Sequence, residues 1–272
     1  MGTDPTAVHN FSGCLGALTD FPVTYLVASS IKDDPSAVRR DAPELWRLVR
    51  RYNLPVQLAL AAAQEVSRRA EDASAAAVFS LAPCRPGSAE LYAWGRVVCD
   101  GMARGDLGDT RMNPTQTLHA VDNLALSAFS IAHANRAYCL GLGGTAGQAW
   151  AALEALHEQL ARGREREALL MAGDQTSSTH DAQGLGVALL FSAAPRRYET
   201  DGGRFVRLVA VERRREPGRE VVPHASAGLR GLLSALENLS RENQDGLRFA
   251  YDVPREDADG ADALRVVWEV SG

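Results

Sequence analysis

Residues 138–153 read YCLGLGGTAGQAWAAL: a short apolar run, a cluster of small residues, then an alanine-rich stretch with helical rhythm. The apolar run suits a buried strand and AGQAWAALEALHEQLARG, 146–163, suits a helix. In that helix Ala149, Ala152 and Leu156 share one face and allow close packing, and Gly163 stands at the C-terminal end, where a left-handed residue is favoured. A tight strand-to-helix turn of this kind usually displays a nucleophile or cradles a phosphate on the free amides of the helix N-terminus. Here the apex holds Gly143, Gly144, Thr145, Ala146 and Gly147, with no Cys, no Lys and no Ser–His partnership. The shape is that of a reactive turn without its reactive side chain.

On both sides of the turn, strand and helix patterns alternate. YLVASS (25–30), AAAVFSLAP (75–83), the run at 137–142, EALLMAGD (167–174) and GLGVALLFSA (184–193) read as buried strands, and FVRLVAVERR (205–214) as a longer, half-exposed one. Helices are expected over 41–55, with Asp41 as N-cap and Pro55 marking the end, over 56–70, and over 88–105, closed by Gly105. The tail predicts a helix at 227–243 and two strands, LRFAYDV and ALRVVWEV. Strands separated by helices imply an α/β domain around a mixed, mostly parallel sheet covered by helices on both faces.

Composition narrows the function classes. At 272 residues the chain suits one large domain, and its 46% hydrophobic content supplies an ample core. A net charge of −5 argues against a nucleic-acid surface, although the cations are nearly all arginine and Lys32 is the only lysine. Cys14, Cys84, Cys99 and Cys139 lack metal-ligand spacing, so neither a zinc site nor a disulfide framework is indicated, and buried reduced thiols are expected. No run approaches the ~20 apolar residues of a membrane span, and no secretory leader is evident, so the expected location is the cytoplasm.

GLGGTA, 141–146, also fits the dinucleotide pattern GxGxxA, with Asp174 as a candidate ribose-binding carboxylate. In that pattern the acid follows about 20 residues after the glycines, whereas Asp174 lies more than thirty residues after Gly141. An NAD(P)-binding oxidoreductase is therefore the weaker reading, and no cofactor and no metal are expected.

The flanks carry a closer resemblance. NPTQTLHAVDNLALSAFSIAHANRAYCLGLGGTAGQAWAALEALHEQLARGREREALLMAGDQ, 113–175, resembles the N-terminal half of β-ketoacyl synthases, the thiolase-fold condensing enzymes. There a proline-containing segment leads through helix and strand to the nucleophile elbow, a long helix, an ALL-bearing strand and a G-x-D turn. GLGVALLFSA resembles the family's next strand. NPTQTLHAVDN is similar to the signature P-T-x-F-S-H-S-V-H-N of the short β-ketoacyl synthase-like family of aryl polyene clusters; Pro114, Thr115, His119, Val121 and Asn123 match, while Thr117, Leu118, Ala120 and Asp122 depart. The resemblance spans about residues 20–195.

Laid on the family's T-A-C-S-S-G elbow, the chain places Gly147 on the final glycine and Gly144 on the nucleophile. Cys139 lies five residues earlier, inside the strand, away from the helix N-terminus that lowers a thiol's pKa. The H-G-T-G-T-like and N-x-x-F-G-F-G-like loops that supply a synthase with its two histidines are absent. The resemblance therefore implies half of the fold in a non-catalytic, chain-length-factor-like subunit. Its expected partners are an active ketosynthase, in a heterodimer, and with it an acyl carrier protein, for aryl-polyene-like or other type II polyketide products. Residues 1–195 would form the ketosynthase-like domain and 196–272 an extension packed on it.

Gly143, Gly144, Thr145 and Gly147 are then the acyl-cavity residues, and His119, Asn123 and His180 the polar support. His119 and Asp122 share a helical spacing that fits either an acid–base pair or backbone hydrogen bonding. Thr145, at a helix start, reads as an amide cap rather than a nucleophile. His133, His157 and His224 show no partner pattern. The alternative is a stand-alone thiolase-fold acyltransferase or hydrolase recruiting Cys139, His119 or His180.

Overall fold

A computed structural model describes residues 24–41, 43–82, 89–105, 123–143, 146–175, 184–198, 204–215, 229–234, 247–254 and 262–271. In chain order these form β1 (Thr24–Lys32), α1 (Pro35–Asp41), α2 (Pro43–Val49), α3 (Leu54–Ser67), β2 (Ala77–Leu81), α4 (Ala89–Arg104), α5 (Leu124–Ala132), β3 (Cys139–Leu142), α6 (Ala146–Ala161), β4 (Glu167–Gln175), β5 (Gly184–Ser192), β6 (Phe205–Arg215), β7 (Leu247–Pro254) and β8 (Asp262–Ser271). Residues 229–234 are helical. The remainder of the expected helix 227–243 lies outside the described residues.

The strands form one sheet in the order β3-β2-β4-β5-β1-β6-β8-β7. It is mixed, as expected, but its ladders are not mostly parallel. Parallel pairing joins β2 to β3 and to β4, whereas β5 is antiparallel to both β4 and β1, and the β1–β6, β6–β8 and β7–β8 pairs are antiparallel as well. The cause is local. Only residues 176–183 separate β4 from β5, fewer than the dozen or so that a parallel crossover needs, so the chain turns back beside β4. Lying between β4 and β1, β5 makes antiparallel neighbours of two strands that themselves point the same way.

Period-two alternation sends side chains to opposite faces, and both faces are covered. On one, Ala77, Phe79, Leu170, Val187, Leu189 and Phe191 meet Ala149, Trp150, Leu153, Leu156 and Leu160 of α6. On the other, Val78, Leu169, Met171, Ala188 and Leu190 meet α3 and α5 through residues such as Leu58, Ala62, Ala125 and Phe129. All nine residues of β5 are buried, as a strand covered on both faces must be. The expected inward face of α6, Ala149, Ala152 and Leu156, is fully buried, while Ala151 and Glu158 face outward.

α3 sits very close to the sheet. A Cβ added to Gly173 would strike the Pro55 carbonyl and one on Gly186 the Leu58 carbonyl, so only glycine admits the helix backbone at these two points. The lower end of the sheet is tied by Glu167, a buried carboxylate that accepts from the Glu71 amide at 2.8 Å and pairs with Arg196, whose other nitrogen donates to the Arg69 carbonyl at 2.6 Å. Burial pushes the Glu167 carboxyl above its ordinary value, against the lowering effect of the Glu71 amide and Arg196.

Three local expectations are corrected. Asp41 does not cap a helix over 41–55; it ends α1, and Pro43 opens α2, because a proline ring cannot continue the hydrogen bonding of the helix before it. Pro55 does not mark a helix end but sits in the first turn of α3, behind the N-cap Asn53, whose Oδ1 accepts from the Val56 amide at 3.2 Å. Cys99 and Cys139 are exposed rather than buried, the first on α4 and the second on the edge strand β3; Cys14 and Cys84 lie outside the described residues. Gly105 and Gly163 close their helices as expected, at φ 68° and 65°.

Candidate functional site

The elbow stands at an edge of the sheet. Among the described residues β3 pairs only with β2, in register Val78↔Cys139 through Leu81↔Leu142, and the Val78 and Ala82 amides extend the pairing to the Tyr138 and Leu142 carbonyls, each at 2.8 Å. Its entry is anchored by Asn135, whose Nδ2 donates to the Ala73 and Ala76 carbonyls at 3.0 and 2.8 Å while Oδ1 accepts from the Ala137 amide at 3.1 Å. The chain leaves β3 at Leu142 and passes Gly143, and α6 begins at Ala146, with Gly147 in the first helical turn. Strand and helix thus follow the expected pattern. The apex residues Gly144 and Thr145, and His119 and His180, lie outside the described residues.

Two carboxamides fill the room that the glycines leave. A Cβ on Gly141 would fall on Oδ1 of Asn123, and one on Gly143 would come within 2.6 Å of the Gln148 Nε2. Asn123 is the N-cap of α5, yet its side chain makes no capping bond and lies instead over Gly141. Gln148 projects back from the first turn of α6. The third polar group is Ser80 of β2, in register with Gly141 and 2% exposed, whose Oγ has no hydrogen-bond partner. A buried hydroxyl left unpaired costs about 1–3 kcal/mol. Asn123 was legible in the sequence as a candidate; Gln148 and Ser80 were not, since neither carries a spacing signal.

Cys139 is not at the elbow. It opens β3, five residues before Gly144 in the sequence, with Sγ 3.7 Å from Ser130 Oγ and from Asn135 Oδ1. Neither neighbour is a base. Two histidines without a sequence pattern do have partners: His133 bonds Gln64 Oε1 at 2.9 Å and stacks on Phe129 at 4.2 Å, and His157 bonds Thr24 Oγ1 at 2.9 Å. Burial holds both imidazoles below their usual pKa. Their roles are in packing, away from the elbow glycines. Asp174 is buried within β4, opposite Leu185, and presents no free carboxylate to a ribose. Among the described residues no cluster of His, Cys, Asp or Glu could hold a metal ion, and no helix is long and apolar enough to cross a membrane.

No family model and no curated protein matches the chain. Solved structures do. The ishigamide ketosynthase/chain length factor superposes with a TM-score of 0.60 at 14% identity, over 92% of this chain and 100% of that one. The ketosynthase ApeO in complex with its chain length factor ApeC, from Xenorhabdus doucetiae, gives 0.57 at 10% identity, over 94% and 100%. AntDE:AntF, a type II polyketide synthase acyl-carrier protein in complex with its ketosynthase bound to the hexaketide, gives 0.55 at 8% identity, over 91% and 99%. The likeness takes in more of the chain than residues 20–195, and at these identities it is a likeness of fold. The chain therefore has the thiolase-like α/β fold found in ketosynthase and chain-length-factor structures.

Proposed function

We propose that this chain is a non-catalytic, chain-length-factor-like subunit that pairs with an active β-ketoacyl synthase in type II polyketide assembly of the aryl polyene kind. Its elbow bounds the acyl cavity, an acyl carrier protein visits the complex, and the pair works in the cytoplasm. In this reading residues 1–195 are the ketosynthase-like unit and 196–272 extend it. The observation that carries it is the elbow: a strand, a glycine turn and a helix N-terminus in the arrangement that activates a thiol, with glycine at the aligned position and the nearest cysteine of the described chain back within β3. The fold likeness to complexes of ketosynthase with chain length factor supports the same reading.

The sheet edge supports a partner. Among the described residues β3 has a strand on one side only, Cys139 and Tyr138 are exposed, and beside it Ile131 of α5 is 73% exposed. An edge with unpaired backbone groups and apolar side chains around it is a template for another chain. A ketosynthase subunit placed there would bring its own active site next to the elbow.

The test is co-expression with a type II ketosynthase that carries the Cys and two His of an active synthase. Co-purification as a stable complex that makes polyene with carrier protein, while neither subunit alone does, is the expected outcome. Turnover by the purified chain alone, abolished by Cys139→Ala, would overturn the reading in favour of a stand-alone acyltransferase or hydrolase.

A further inference from the structure

The connection between α5 and the edge strand β3 is held in a disfavoured shape. Among the described residues Ala134 is the one non-glycine with a positive φ, 49°, a left-handed conformation that strains an alanine and persists only where its surroundings impose it. The residues after it are gripped from outside. Asn135 Nδ2 donates to the Ala73 and Ala76 carbonyls, and the Arg136 amide donates to the Ser74 carbonyl at 3.0 Å. The segment that supplies those carbonyls is gripped in turn at its other end: buried Glu167 of β4 accepts from the Glu71 amide, and Arg196, paired with Glu167, donates to the Arg69 carbonyl. Between the two grips Asp72 Oδ1 accepts from the amide and the hydroxyl of Ser74 at 2.9 and 2.7 Å, and the Ala75 amide donates to the Asp72 carbonyl at 3.0 Å. Residues 69–76 are thus stiffened internally, and a displacement at Glu167 passes along them to Asn135.

A strained turn held by a segment that is itself held makes an element with two arrangements. We propose that the Glu167–Arg196 pair is a latch for the edge strand. Closed, it keeps 69–76 against the turn at 133–137 and β3 paired to β2, with the outer edge of β3 ordered for the strand of another chain. Open, Ala134 relaxes and β3 parts from β2, beginning at Cys139. The free energy of the latch then enters the opening equilibrium of β3 in full, because the latch is broken whenever β3 is open, whereas an opening of β3 that left the pair intact would not feel its loss. Coupling of this kind is reciprocal, so a strand added to β3 also holds the latch closed. The latch acts on β3 whichever chain adds there, and it stands apart from the ketosynthase partnership.

The test is hydrogen–deuterium exchange of the full chain at constant pH, read by mass spectrometry on segments 71–76, 135–142 and 184–192, with urea unfolding of each variant to give its unfolding constant. In the wild type 135–142 should exchange about ten-fold or more faster than 184–192, by local opening. Arg196→Leu should accelerate 71–76 and 135–142 about ten-fold, by the same factor as it raises the unfolding constant. Glu167→Gln, which keeps the shape of the side chain and removes its charge, should do the same to a smaller extent and serves if Arg196→Leu does not fold. Asn135→Ala should accelerate 135–142 and leave 71–76 within about two-fold of the wild type, and adding Glu167→Gln or Arg196→Leu to it should accelerate 135–142 by less than about two-fold more. Ala134→Gly, which removes the strain of the closed turn, should slow 135–142 about two-fold. Exchange of 135–142 that stays at the wild-type rate in both latch variants makes the pair a structural tie with no hold on β3 and overturns the latch. Wild-type exchange of 135–142 no faster than that of 184–192 overturns it as well, because β3 would then have no opening of its own. So does full additivity between the latch variants and Asn135→Ala. A chain that co-purifies with a ketosynthase but fails these tests loses only the latch, and one that passes them but never pairs loses only the partnership.

Discussion

The contact between Asn123 and Gly141 can be tested by a double-mutant cycle. In Gly141→Ala the new Cβ occupies the position of Asn123 Oδ1, so the carboxamide must leave. The obstacle is a side chain with no capping bond to hold it, which keeps the penalty at the lower end of overpacking, about 1–2 kcal/mol. With Asn123→Ala the obstacle is gone, and alanine should then surpass glycine within the strand by roughly 0.5 kcal/mol because the unfolded glycine has more freedom to lose. The same Gly141→Ala change should thus destabilise the wild type and slightly stabilise the Asn123→Ala background. The coupling is about 1.5–2.5 kcal/mol, equivalent to a difference of several degrees in Tm for a chain of this size. Urea unfolding of the four proteins, followed by far-ultraviolet circular dichroism, reads it directly. Additive effects, with coupling under about 0.5 kcal/mol, would show that Asn123 does not lie over Gly141 and would remove the geometric basis of the elbow site.

Glycine substitutions elsewhere should differ in sign for stated reasons: Gly173→Ala, which meets the α3 backbone at Pro55, should cost about 3 kcal/mol, whereas Gly95→Ala in α4, with nothing within 4 Å, should gain about 0.5–1 kcal/mol in thermal denaturation. His133 and His157 have folded pKa values below the ordinary 6.5, so the unfolded chain binds more protons; stability should be flat above pH 6.5 and fall as pH drops below it, and the fall should shrink in His157→Gln. Glu167→Ala leaves the Glu71 amide without its acceptor and Arg196 with only the Arg69 carbonyl, and should cost about 3 kcal/mol, measured by chemical denaturation. In the complex with a ketosynthase, Gly144→Leu should shorten the product, while Gly144→Cys should yield neither an acyl adduct nor condensation by the chain alone; an unchanged product distribution from an intact Gly144→Leu complex takes Gly144 out of the cavity.

Much of the secondary structure was legible along the chain. The inward face of α6, the closing glycines at 105 and 163, and the strands β2, β4 and β5 are each written in a few neighbouring residues, because hydrophobic period and backbone freedom are local properties. The elbow was legible for the same reason, as small residues between a strand pattern and a helix pattern. So was the absence of a thiol at its aligned apex position. The limits of local reading show at Pro55, since a proline can end one helix or open the next and this one opens α3.

What only the tertiary structure decided is which elements stand beside which. The order that slips β5 between β4 and β1, and leaves β3 at the edge with Cys139 in solvent, depends on pairings between residues far apart in sequence. An apolar strand reads alike at the centre of a sheet or at its rim until its neighbours are placed. The same holds for the polar groups. Asn123 over Gly141, Gln148 against Gly143, Ser80 in register with Gly141, and Glu167 between Glu71 and Arg196 are meetings across segments that no spacing rule connects. The sequence alone determined that this turn has no nucleophile, since that is a matter of which side chain is present. Only the fold determined what stands around it, since a side chain's surroundings are set by packing.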